Sequence, residues 1–122
     1  MNISNIDINL VNKTNLNHLI KLIENAKYTI TVEGGIRSLC ILLNAPALAI
    51  FGPSDCKFLP RNDCVTDVKF TSCRPCWRHN KNWYYQCEQN NNGEAICTSD
   101  NTLLPQIKNL SELIQNEINK YI

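Results

Sequence analysis

The first fifty residues alternate between hydrophobic patterns typical of strands and of helices. Apolar and polar residues alternate around Ile6, Ile8 and Leu10, which predicts a short, half-buried strand. Residues 28–32 are rich in β-branched and aromatic side chains and predict a second strand. The continuous apolar run over residues 47–51 is typical of a buried parallel strand. Three strands are therefore expected in this part of the chain.

Two helices are predicted between these strands. The first has Thr14 as its expected N-cap. Its apolar residues recur at the spacing of one helix face: Leu16, Leu19, Ile20 and Ile23. The second spans residues 36–43, and Asn44 is placed to end it. An alternation of strands and helices of this kind predicts an α/β layer with a parallel sheet over residues 1–52.

The rest of the chain divides into two further parts. Residues 53–100 show almost no periodicity and contain both tryptophans and most of the seven cysteines. Residues 101–122 place apolar side chains on one face of a C-terminal helix, with Ser111 as a candidate N-cap. A parallel sheet of only three strands leaves its edges exposed. The sheet is therefore expected to be part of a larger one, or to be completed by a partner.

Composition and charge remove several classes of function. The 122 residues are 43% hydrophobic and 19% charged, as in one ordinary globular domain. The formal charge of +1 and the scattered basic residues argue against a nucleic-acid or acidic-membrane partner. No apolar run is long enough to span a bilayer, and the start of the chain does not resemble a secretory signal. A cytoplasmic location, with reduced thiols, is the expectation.

Two loops at the predicted carboxyl edge of the sheet are candidates for ligand binding. Gly34 and Gly35 follow a strand and begin a helix, so an anion such as a diphosphate could approach the helix N-terminus closely. Glu33 could accept hydrogen bonds from sugar hydroxyls, and Gly52 and Ser54 follow the next strand. The glycines alone favour a simple tight turn with an exposed Glu33, because a pair of glycines is common in such turns and neither a dinucleotide-binding nor a Walker motif is present.

The cysteines of the middle part offer a second candidate site. Cys73, Cys76, Cys87 and Cys97 could supply four thiolates to a structural zinc ion. The wide spacing after the first pair does not match a zinc ribbon. A cluster of reduced or disulfide-linked cysteines that staples this segment is therefore the alternative. His18 and His79 are not expected to be catalytic.

The order of these motifs resembles a known family. The chain resembles the donor-binding domain of the family-nine glycosyltransferases, the heptosyltransferase-like enzymes. The likeness rests on Glu33-Gly34-Gly35, Leu39, Ala45-Pro46 and the sequence Phe51-Gly52-Pro53-Ser54, in this order. The likeness continues through Asn62 and the cysteine- and tryptophan-rich segment, which a subset of that family shares. The chain departs from the pattern where the family has a histidine, which is Ser38 here, and where it has a small residue, which is Cys40.

The resemblance implies a Rossmann-like half of a GT-B fold that binds a nucleotide-diphosphate sugar for inverting glycosyl transfer. By analogy, Glu33, Gly34, Gly35 and Ser38 would line the donor site, with Gly52 and Ser54 nearby. The catalytic base and the acceptor site would belong to the other domain, in the same protein or in a separate chain, so this chain has no expected catalytic residue. Transfer in this family needs no metal ion. The alternative is a non-catalytic relic or scaffold module stabilised by the cysteine cluster.

Overall fold

The computed structural model describes residues 7–52, 54–69, 76, 81–82, 87 and 111–120. These residues form a small α/β layer. Its elements, in chain order, are α1 (Leu16–Asn25), β1 (Thr29–Val32), α2 (Gly35–Leu42), β2 (Ala47–Phe51), a 3₁₀ turn (Cys56–Phe58) and β3 (Val65–Lys69). A further helix, α3, covers residues 111–119.

The three strands form one parallel sheet in the order β1-β2-β3. The register aligns Thr31 with Ala49 and Ala49 with Asp67. These three side chains therefore form one row across one face of the sheet, since side chains alternate between faces along a strand. The predicted parallel α/β layer is confirmed, with β2 as its central strand.

One predicted strand is wrong, and one observed strand was not predicted. Residues 7–10 form no strand, and Ile8 is 72% exposed, so the alternation there has no packed surface behind it. The third strand is instead β3, inside the segment where no regular element was expected. The alternation of apolar and polar residues did not predict β3, because the acidic Asp67 occupies a position on the same face as Val65.

The helices begin and end close to their predicted positions. Asn15, and not Thr14, is the N-cap of α1, because its side-chain oxygen accepts a hydrogen bond of 2.9 Å from the His18 N–H. Helix α2 begins one residue earlier than predicted, and Asn44 follows it with φ of 50°, the left-handed conformation that asparagine tolerates. In the described part of the chain, no helix has the length and apolar character needed to cross a membrane.

The core lies between the helices and one face of the sheet. Its buried members are Ile23, Cys40, Ala45 and Ala47, with four partly buried side chains packed against them: Leu19, Leu39, Leu43 and Val65. On the opposite face, the Thr66 hydroxyl donates a hydrogen bond of 3.3 Å to the Glu117 carboxylate, which brings α3 against β3. Both faces of β3 are therefore in contact with helices.

Leu48, at the centre of β2, is fully buried, whereas Val32 at the end of β1 is 65% exposed. We expect Leu48→Ala to lower the free energy of unfolding by about 2–5 kcal/mol, because it removes buried methyl groups and leaves a cavity. Val32→Ala is the matched control and should cost less than about 1 kcal/mol. Urea denaturation followed by circular dichroism measures both, and equal losses would contradict this description of the core.

Candidate functional site

The first loop of the candidate site is the turn that joins β1 to α2. The Glu33 N–H donates a hydrogen bond of 2.8 Å to the Ile50 carbonyl, so the sheet ladder extends to the beginning of the turn. Gly34 then caps α2 with φ of 149°, a conformation that L side chains rarely adopt. Gly34 provides no side-chain hydrogen bond to the helix. The N-terminus of α2 therefore has no side-chain cap.

This turn is open on the outside. A β-carbon added at Gly34 or at Gly35 would meet no atom within 4 Å. The first intrahelical hydrogen bond is donated by the Ser38 N–H to the Gly34 carbonyl, so the N–H groups of residues 35–37 have no intrahelical acceptor. The first turn of α2 also contains no acidic residue. The geometry can accept an anion at this helix end.

The second loop meets the first at the carboxyl edge of the sheet. The Ser54 hydroxyl donates a hydrogen bond of 3.1 Å to a carboxylate oxygen of Glu33, and both side chains are half-buried. Gly52, also half-buried, directly follows β2 on the way to Ser54. The structure therefore brings together Glu33 and Ser54, as expected from strands that end at the same edge.

Ser38, which the resemblance places in the donor site, lies in the first turn of α2. Its Oγ donates a hydrogen bond of 3.3 Å to the Gly34 carbonyl, within the first turn of its own helix. This side chain is exposed but is directed along α2 by that bond. The Ser38 hydroxyl therefore supports the turn locally, and its place in the donor site stays a prediction.

Arg37, the third residue of α2, was not singled out from the sequence. Its side chain is only 2% exposed and forms a two-pronged ion pair with Asp67: Nε donates to Oδ1 at 2.8 Å and Nη2 to Oδ2 at 2.7 Å. Nη2 also donates to the Pro60 carbonyl at 3.0 Å, and the guanidinium lies 5.2 Å from the centre of the Phe51 ring. The arginine thus connects α2 to β2, β3 and the loop between them.

The environment of Arg37 favours its charged form. The hydrogen bond with Asp67 raises the pKa of Arg37 above its ordinary value; burial acts in the opposite direction, and the negative potential of Glu33 adds a smaller rise. The sequence signal for this ion pair is Asp67 itself, an acidic residue in a short strand that also contains Val65 and Val68. An isolated arginine on a helix normally indicates a solvated surface, so the sequence alone does not predict that Arg37 is buried.

The predicted cysteine cluster lies largely outside the described residues, which do not include Cys73 or Cys97. Cys76 and Cys87 are partly buried and carry free thiols. Among the residues that are described, no three His, Cys, Asp or Glu side chains come together in a way that could hold a metal ion. The clustering and the zinc site both stay predictions.

Cys40 lies in α2 and Cys56 in the 3₁₀ turn, and the reactivity of the two thiols tests how differently they are buried. Cys40 is fully buried, and desolvation raises the pKa of its thiol, so the reactive thiolate is disfavoured. Cys56 is partly exposed. We expect iodoacetamide at pH 8 to label Cys56 in the folded protein and Cys40 only after unfolding, as measured by peptide mass spectrometry. Equal labelling of the two in the folded protein would contradict the placement of Cys40 in the core.

Comparison with known proteins identifies the family. Residues 2–91 match the family described as Glycosyltransferase family 9 (heptosyltransferase). A stretch of 53 residues is 34% identical to lipooligosaccharide heptosyltransferase 2 of Haemophilus influenzae; it covers 43% of this chain and only 15% of that enzyme. No solved structure gives a significant match. With the family match extending over most of its length, the chain belongs to glycosyltransferase family 9.

Proposed function

We propose that this chain binds the diphosphate of a nucleotide-diphosphate sugar at the Glu33–Gly35 turn and so contributes the donor site of a glycosyltransferase. The observation that carries the proposal is the open glycine turn at the carboxyl edge of a parallel sheet. Ligands of open α/β sheets occupy this edge. Family membership supports glycosyl transfer as the reaction to which such a site would belong.

The phosphates would be bound by the backbone of α2. The free N–H groups of residues 35–37 supply donors, and the helix dipole supplies a partial positive charge equivalent to about half an elementary charge. Gly35 leaves space for a phosphate oxygen to come close to these donors. Such fixed donors also stabilise the charge that develops on a departing nucleoside diphosphate, which is their expected part in transfer.

Glu33 would recognise hydroxyl groups beside the phosphates. The Ser54 hydrogen bond to Oε2 holds the carboxylate at the end of β2, and the other oxygen can accept from a ribose or sugar hydroxyl. An ionised acceptor forms a stronger hydrogen bond than a neutral amide does. Glu33 would therefore contribute selectivity for the sugar or the nucleoside. Its negative charge would repel the phosphates and weaken their binding.

The proposal assigns neither the acceptor nor the general base to this chain. Inverting transfer needs an acceptor hydroxyl to be positioned and deprotonated opposite the leaving group. In the proposed enzyme those groups belong to a second domain, either in the same protein or in a partner chain. The transfer step is proposed to need no metal ion. Any zinc on Cys73, Cys76, Cys87 and Cys97 would be structural.

Gly35→Val tests the phosphate site. Gly35 is not in the left-handed region and has open space around it, so valine should fold normally and fill the space that the phosphate needs. We expect isothermal titration calorimetry to show binding of ADP, GDP or UDP to the unaltered chain. The Gly35→Val variant should bind about tenfold or more weakly, a loss of about 1.4 kcal/mol.

Gly35→Ala is the graded control, because it adds one methyl group and should cause a smaller loss. Equal affinity of the unaltered chain and the valine variant would place the site elsewhere. No binding at millimolar ligand would refute the proposed function and favour a non-catalytic binding or scaffold module.

Glu33→Gln separates hydroxyl recognition from phosphate binding. The substitution keeps the shape of the side chain and removes its charge. We expect the affinity for a nucleoside diphosphate to fall about fivefold, which matches the difference of about 1 kcal/mol between charged and neutral hydrogen bonds. The affinity for inorganic diphosphate should be unchanged or increased, because a repulsive charge is gone. An equal loss for both ligands in the same calorimetric assay would argue against this role.

A further inference from the structure

We propose that Arg37 is a positioning residue: its ion pair with Asp67 holds the first turn of α2 in the geometry in which its N–H groups face the sheet edge. The inference concerns the turn itself, and only its consequence for ligand affinity rests on the proposed function. Arg37 would act through the backbone and would not touch the ligand.

Arg37 contacts three segments of the chain outside its own helix. Asp67 belongs to β3, Pro60 to the loop that leads into β3, and Phe51 to the last position of β2. One buried guanidinium is therefore attached to every element next to the candidate site except β1. Both ion-pair bonds have ideal lengths and use the fork of the guanidinium, which fixes direction as well as distance.

Apart from the bonds of Glu33 to the Ile50 carbonyl and to the Ser54 hydroxyl, the turn has few other attachments. Gly34 gives the helix no side-chain cap, and both glycines are exposed with open space on their outer side. Ser38 bonds only back to Gly34. A glycine-rich helix start with these properties has many accessible backbone conformations. Arg37 lies two residues after Gly35 and is the first buried side chain of α2, so its anchoring limits how far the turn can move.

The other end of the same helix has its own attachment. The Asn62 amide donates to the Ile41 carbonyl at 3.0 Å and to the Asn44 side chain at 3.2 Å. The loop before β3 thus holds α2 at two points, through Pro60 near the start of the helix and through Asn62 near its end. This pair of attachments supplies a matched control, because loss of Asn62 weakens the same loop without freeing Arg37.

The test uses the double variant Arg37→Met/Asp67→Leu, which removes both charges together. Replacing a buried ion pair by apolar side chains of similar volume often leaves a protein as stable as before, whereas a single substitution leaves a buried charge unpaired. The Pro60 carbonyl that loses its donor can be hydrated, since Pro60 is exposed. The double variant should therefore fold, and circular dichroism checks that it does.

The readout is amide hydrogen exchange without ligand, followed by nuclear magnetic resonance. The Ser38 and Leu39 N–H groups close the first turn of α2, so we expect them to exchange about tenfold faster or more in the double variant. The amides of β2 should keep their rates. Asn62→Ala should leave the Ser38 and Leu39 rates unchanged. If the folded double variant exchanges at the original rate at both amides, Arg37 is a core residue only and the inference is wrong.

Ligand affinity provides the second readout. If the unaltered chain binds a nucleoside diphosphate, the double variant should bind it about tenfold more weakly even though it is folded and as stable, while Asn62→Ala should bind normally. Unchanged affinity in the folded double variant would overturn the positioning role. Failure of the unaltered chain to bind would refute the proposed function alone, and the exchange rates would still decide the role of Arg37.

Discussion

The buried ion pair between Arg37 and Asp67 is the interaction on which the arrangement of this small layer depends. Three of the four buried side chains of the core on that side of the sheet are small: Ala45, Ala47 and Cys40. Loss of one partner from a buried ion pair costs about 3–5 kcal/mol. That loss is a large part of the total stability of a small domain, which is about 5–15 kcal/mol.

The same pairing has a consequence for the chemistry of the sheet edge. Because Asp67 neutralises Arg37 and both are largely buried, the positive charge of Arg37, two residues after the glycine turn, is already paired. A phosphate at this edge would depend on uncharged N–H donors and on the dipole of α2. A dipole interaction at an exposed site is worth about 0.3–1 kcal/mol. The geometry therefore favours modest affinity and selectivity by shape and hydrogen bonding.

The extent to which this structure follows from its sequence depends on the kind of signal. The limits of β2 were predicted correctly because a wholly apolar run has few alternatives in an α/β layer. The meeting of Glu33 and Ser54 also followed, since parallel strands end at one edge. Strand β3 and the burial of Arg37 were not predicted, because Arg37 and Asp67 are each charged and each alone indicates an exposed position. Their burial makes sense only once the two charges, thirty positions apart, are seen to pair.

The position of β1 in the sheet explains why the candidate site is so open. Within the described residues β1 has one neighbouring strand, β2, and its Ile30 and Val32 side chains are 49% and 65% exposed on the face away from α2. The glycine turn therefore follows a strand at the edge of the described sheet, and both of its glycines are exposed to solvent. Water weakens every electrostatic contact that such a turn can make. A donor site of full strength at this position requires a second surface that covers the turn and excludes that water.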